Sequence, residues 1–152
     1  MATKFEVETC GRCGGSGRYS FNLMHGDRCY GCGGSGQRYS KRGFAARAYF
    51  FEGFAKPVEE VVVGMYLHTS IGVNDRPKWR EIIEVRESAT KWGVGNEWKS
   101  GIDLVVKGCN CGFPLGSKVT AATKDEITAR LAEALAYEAT LGKHGKPLRR
   151  AA

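Results

Sequence analysis

Cys10-Gly11-Arg12-Cys13-Gly14-Gly15-Ser16-Gly17 returns almost unchanged as Cys29-Tyr30-Gly31-Cys32-Gly33-Gly34-Ser35-Gly36, and the Arg-Tyr-Ser at 18–20 recurs at 38–40. Two thiols separated by two residues can face one ion only where the backbone turns tightly, and glycine permits that turn. Doubled Cys-x2-Cys at this separation is the spacing of a four-thiolate structural zinc site. Gly15, Gly17, Gly34 and Gly36 suit positive φ, which would let backbone N–H groups approach the sulfurs and offset their negative charge. Incidental thiols in a glycine-rich loop and a thioredoxin-like dithiol are the alternatives. The repetition, and the lack of a strand-to-helix junction at either pair, favour metal. Cys10, Cys13, Cys29 and Cys32 are thus the expected ligands of one zinc ion. With all four positions filled by protein, no place remains for a reactive water. The binding free energy, on the order of 10 kcal/mol, would largely be folding free energy for this end of the chain.

The remaining composition is that of a globular chain, and no apolar run reaches the roughly 18 to 20 residues that cross a bilayer. The opening residues, 1–8, lack the apolar stretch of a secretory signal, so a cytoplasmic location with reduced thiols is expected. The formal charge of +7 is uneven: residues 1–50 carry eight Lys/Arg against three Asp/Glu, whereas 51–100 carry seven against eight. The cysteine-rich end is therefore the basic end. Its surface favours a polyanion or an acidic protein partner.

Residues 1–40 read as a zinc finger, 41–142 as a small α+β domain and 143–152 as a basic tail expected to be mobile. Within the finger, Phe21, Leu23 and Met24 suit a short ribbon ending at the turn His25-Gly26-Asp27. A helix is expected over 41–54, burying an apolar set that includes Phe44, with Pro57 beyond its end. Strand signals follow at 58–68, 79–87, 102–107 and 118–121, with a turn at 74–77 and another at Gly108 to Gly112. They imply a small antiparallel sheet or an SH3-like barrel. In the second strand Trp79, Glu81, Ile83 and Val85 alternate, broken only by Ile82. Thr123 to Glu126 has the form of a capping box, and Ile127, Leu131, Ala134, Leu135 and Leu141 follow at helical spacing up to Gly142.

At the doubled motif the chain resembles the cysteine-rich domain of the DnaJ (Hsp40) chaperones, whose repeat is Cys-x-x-Cys-x-Gly-x-Gly. Both copies match it, over roughly residues 8–38. In that family four repeats form two zinc sites and assist binding of non-native polypeptides. Two repeats imply one site here, and the resemblance implies a polypeptide-binding adaptor as one possible role. The chain has no J domain and no His-Pro-Asp tripeptide, so stimulation of Hsp70 is not implied. As a whole it looks similar to compact bacteriophage proteins, though no motif carries that likeness.

Aromatic and basic residues interleave around the finger at Arg18, Tyr19, Arg28, Tyr30, Arg38, Tyr39, Lys41, Arg42 and Arg47. Tyrosines can stack on bases while arginines neutralise phosphates, which is how proteins hold RNA or single-stranded DNA without sequence preference. The same tyrosines could instead cover a small zinc core. Cys109 and Cys111 are candidates for a second metal site, with His25, His68 or His144, or for a redox pair; as two thiols in a hairpin turn they would do neither. Trp79, Trp92 and Trp98 suit a core or a ligand platform. No Ser-His-Asp pattern, phosphate loop or paired-carboxylate motif occurs, and no small-molecule substrate is evident. The expectation is a non-enzymatic zinc protein that engages nucleic acid; the polypeptide adaptor and a thiol-disulfide oxidoreductase are the other readings.

Overall fold

The computed structural model describes residues 5–19, 26–70, 77–94 and 97–147, with the backbone alone at 92–94 and 97–99. The fold is α+β, with antiparallel sheets and a C-terminal helix. The chain forms two compact units, one of residues 51–131 and one joining 2–50 to 132–152.

In the second unit, strands β1 (Val7–Thr9) and β2 (Gln37–Tyr39) pair antiparallel, Glu8 opposite Arg38, and so close the base of the doubled motif. Helix α1 (Lys41–Phe51) starts directly after β2. Ser40 caps it: the Gly43 N–H donates to Ser40 Oγ at 3.0 Å, satisfying one of the unpaired donors of the first turn. The Ser40 hydroxyl in turn donates to Glu6, whose carboxylate also receives Arg42 at 2.6 Å. These two donors, Ser40 first, hold the Glu6 carboxyl below its ordinary range. A side chain at Gly43 would strike the Glu6 carbonyl, so glycine is required where α1 meets the backbone just before β1. The apolar interior of this unit is small. Phe5 packs on Phe50, with ring centres 5.8 Å apart, and Ala46, Ala134 and Leu141 are buried with them. Phe44, expected to be buried, is 63 % exposed, because α1 turns its Gly43, Ala46 and Phe50 face inward.

The other unit is built on a six-stranded sheet in the order β3-β10-β4-β5-β8-β9. Its strands are β3 (Ala55–Pro57), β4 (Tyr66–Thr69), β5 (Lys78–Glu87), β8 (Gly101–Val106), β9 (Cys109–Pro114) and β10 (Lys118–Ala122). Two short strands, β6 (Trp92–Val94) and β7 (Glu97–Lys99), pair separately. The sheet coils strongly: Thr69 Oγ1 of β4 lies 3.9 Å from Cys111 Sγ of β9, although β5 and β8 stand between them in pairing order. Val58, Val61, Leu67, Ile82, Leu104, Val106, Val119 and Ala121 fill the interior. Helix α2 (Lys124–Thr140) opens on the expected capping box, with Glu126 N–H donating to Thr123 Oγ1 at 3.2 Å and Thr123 N–H to Glu126 at 2.7 Å.

Several sequence expectations are corrected. The helix over 41–54 stops at Phe51, before Gly53 at φ 89°. Of the strand expected over 58–68 only residues 66–68 are strand, the start of β4, because Val58–Glu60 is a 3-10 turn and Gly64, at φ 88°, turns the chain again. In β5 a bulge between Ile82 and Glu84 breaks the alternation, so Ile82 is fully buried and Ile83 exposed. Cys109 and Cys111 lie on strand β9 and not in a turn. Leu135 is exposed, and α2 ends at Thr140 and not at Gly142. The first residues of the expected tail are folded: Leu141 bridges Pro147, and Gly142 N–H donates to the Lys146 carbonyl at 2.8 Å. The ribbon residues Phe21, Leu23, Met24 and His25, turn residues Asn74 to Arg76, and Arg149 and Arg150 lie outside the described residues, as do the side chains of Trp92 and Trp98.

Candidate metal centre

The doubled motif folds as two knuckles that repeat each other at an offset of 19 residues and grip each other reciprocally. Cys10 N–H donates to the Gly36 carbonyl at 2.9 Å, and Cys29 N–H donates to the Gly17 carbonyl at 2.9 Å. The serines match as well: Ser16 Oγ donates to the Cys13 carbonyl at 2.8 Å and Ser35 Oγ to the Cys32 carbonyl at 2.7 Å. Where β1 and β2 place Thr9 opposite Gln37, the other side of the pseudo-twofold places Arg18 opposite Arg28. Gly17 and Gly36 have φ of 75° and 73°, and a Cβ on either would collide with a carbonyl of the opposite knuckle, that of Gly34 or Gly15. This mutual approach explains why the last glycine recurs.

The knuckles bring four sulfurs together. Cys10 and Cys29 Sγ are 3.9 Å apart, Cys13 and Cys32 Sγ 3.8 Å, and all four lie within 4.8 Å of one another. A tetrahedral shell of thiolates at the usual zinc distance has sulfurs about 3.8 Å apart, so the cluster is the size of one such ion. Gly17 and Gly36 N–H groups donate to Cys13 and Cys32 Sγ, each at 3.3 Å. Burial opposes ionisation of Cys13, but the N–H groups of Gly17 and Gly15 outweigh it and bring that thiol down to about 6. Cys32 is lowered against the same burial by Gly36 and Gly34. Cys29 is buried completely, and burial with the neighbouring Cys32 pushes its thiol up to about 11. An entering cation would remove these protons and fix all four sulfurs as thiolates. Among the described residues this is the one cluster of three or more His, Cys, Asp or Glu able to hold a metal.

No family model, curated protein or solved structure matches this chain.

The basic and aromatic candidates divide into two groups. Several are engaged within the unit. Arg18 faces Asp27 at 3.8 Å, Arg38 pairs with Glu8 at 2.8 Å, Arg42 pairs with Glu6, and Arg28 Nε donates to the Gly33 carbonyl at 2.8 Å. The Arg12 guanidinium, absent from the sequence candidates, lies 4.6 Å over the Tyr19 ring, and that of Arg47 lies 5.5 Å over Tyr39. Tyr30 is 57 % exposed. Arg38, Tyr39 and Lys41 come together in a groove of about 550 Å³, together with Phe44, Lys143 and His144. Sequence reasoning placed Phe44 in the core and Lys143 and His144 in a tail; the signal available was the density of Lys, Arg and His at 143–150.

Cys109 and Cys111 share one face of β9 with their sulfurs 3.5 Å apart, and both are partly exposed. No third described His, Cys, Asp or Glu joins them, so they do not form a second cluster of the first kind. His68 is packed between rings, 4.6 Å from Phe51 and 5.2 Å from Trp79. Trp79 belongs to the same aromatic group, edge-on to Phe54 at 5.3 Å. Among the described residues no helix is long and apolar enough to cross a membrane.

Proposed function

We propose that Cys10, Cys13, Cys29 and Cys32 hold one zinc ion as a structural staple of a DnaJ-like finger, and that the finger unit is a non-enzymatic binding module for RNA or single-stranded DNA. The observation that carries the first part is the size of the sulfur cluster, about one tetrahedral four-thiolate shell, with every position supplied by protein. The second part rests on exposed rings set beside cations, Tyr30 near Arg28 in sequence and Tyr39 with Phe44 and Lys41 in the groove. Rings give sequence-tolerant stacking and cations give phosphate affinity. Zinc with reduced thiols fits a cytoplasmic protein.

A polypeptide-binding adaptor is the second reading, favoured by Phe44 and Tyr30, whose exposed rings would equally suit an apolar client segment. Salt separates the two. Phosphate binding weakens linearly in log salt, whereas apolar capture changes little. Native mass spectrometry of protein purified without added metal, before and after a high-salt wash, is the direct test. One zinc per chain with salt-removable nucleic acid is expected. One zinc with no nucleic acid would favour the adaptor, and no bound zinc would remove the staple.

A further inference from the structure

Residues from opposite ends of the chain build the groove beside α1. Its floor and one wall come from the end of β2 and the start of α1, with Tyr39, Lys41 and Phe44. The other wall, with Lys143 and His144, is a tight loop after α2. Three observations show that the loop is held there. Leu141, 1 % exposed, anchors it and bridges Pro147. Gly145 N–H closes it by donating to the Gly142 carbonyl at 2.8 Å. Gly145 itself, at φ 71°, lies so close to the Lys41 carbonyl that a side chain there would meet it at 2.7 Å.

The charges within the groove are unbalanced in one direction. Glu8 is its acidic group, and Glu8 is already satisfied by Arg38 at 2.8 Å. No described acidic side chain forms an ion pair with Lys41 or Lys143. Two full positive charges thus line a cleft that also holds the rings of Phe44, 63 % exposed, and Tyr39, 37 % exposed, with Ser40 and His144 beside them. The volume of about 550 Å³ lies within the range of small-ligand sites. A ligand matching this surface needs a planar π-face a few ångströms from an anion. A nucleotide unit has both.

Building on the proposed nucleic-acid function, we propose that this groove seats one nucleotide of a single strand, its base on Phe44 beside Tyr39 and its phosphates against Lys41 and Lys143. An acidic polypeptide could satisfy the lysines, but only a strand carries a planar base on every phosphate-bearing unit, so the strand is the better fit.

The experiment is fluorescence anisotropy of the zinc-loaded full chain with labelled DNA and RNA strands of about 15 nucleotides, over a salt series. Phe44→Ala is expected to weaken binding about tenfold at every salt concentration, without changing the salt slope. Lys143→Ala is expected to make the slope of log affinity against log salt shallower by about 0.7, the value of one lost single-strand phosphate contact. Lys118→Ala, exposed on β10, should change neither. If the wild type binds with a normal salt dependence and both groove variants behave like it, the groove is overturned while the nucleic-acid function stands. If the wild type shows no salt-dependent binding to either strand, the nucleic-acid function fails and the groove assignment falls with it. If Phe44→Ala instead weakens capture of a carboxymethylated unfolded polypeptide at all salt concentrations, with strands unaffected, the groove belongs to a protein client and the nucleotide assignment is overturned.

Discussion

The two compact units reach a closed interior by different means. The sheet unit buries a continuous aliphatic cluster, with Leu67, Ile82, Leu104 and Val106 almost wholly removed from water. The finger unit buries Phe5, Phe50 and Leu141 around α1, but at the knuckles its inaccessible side chains are Cys10 and Cys29. Its knuckles are glycine-rich, so ordering them costs more chain entropy than ordering an equal length of strand. Two cysteines buried at the knuckles offset less of that cost than an aliphatic cluster would. A metal staple is the usual remedy where the core is too small. One unit should therefore depend on its cofactor and the other on its packing.

The largest effect expected from breaking this contrast is removal of the metal. Chelation, or Cys29→Ser, should abolish metal binding and cost the finger on the order of 10 kcal/mol. Amide exchange at Cys10 and Cys29, whose N–H groups cross between knuckles, would become fast. Protection in β5 and β8 should persist; its collapse would mean that the sheet unit also rests on the metal. Acid should act in the same direction, because binding expels thiol protons and Cys29, pushed up to about 11, holds its proton most tightly. Metal occupancy is thus expected to fall as pH falls and to return on neutralisation, as read by a colorimetric zinc indicator.

A smaller effect should follow from Ile82→Ala, which opens a cavity in the sheet core at a fully buried position. A cost of about 2 to 5 kcal/mol is expected in denaturant unfolding of the sheet unit, with metal stoichiometry unchanged. A changed stoichiometry would contradict the separation of the two strategies. The smallest expected effect is that of Gly33→Ala. This glycine has φ 59° but open space where a Cβ would stand, so the cost is backbone strain alone, about 1 kcal/mol, and metal should still bind. Gly36→Ala at φ 73° would add a collision with the Gly15 carbonyl, and metal affinity should drop with it.

Local features were the legible ones. The clustering of the four cysteines follows from their repeated spacing, the knuckle turns from the glycines between them, and the α2 start from Thr123 and Glu126, which satisfy each other within one turn. Illegible features depend on distant partners. Phe44 looked like core because α1 is apolar on more than one side, and only the packing of Gly43 on Glu6 decides which face turns inward. The β5 bulge selects Ile82 over Ile83 by its pairing with β8, and nothing within β5 states that register. Cys109 and Cys111 read as turn residues because glycines flank them, yet pairing with Leu104 and Val106 makes them strand.

The sequence alone therefore determined which four thiols gather and that a helix begins at Lys124, since the first is written in a repeated spacing and the second in side chains that cap their own turn. Tertiary structure alone decided that the loop after α2 returns to the start of α1, joining Lys143 and His144 to Tyr39 and Phe44. That approach depends on Leu141 finding an interior and on Gly145 fitting against Lys41, about a hundred positions earlier, and no local periodicity records such a contact.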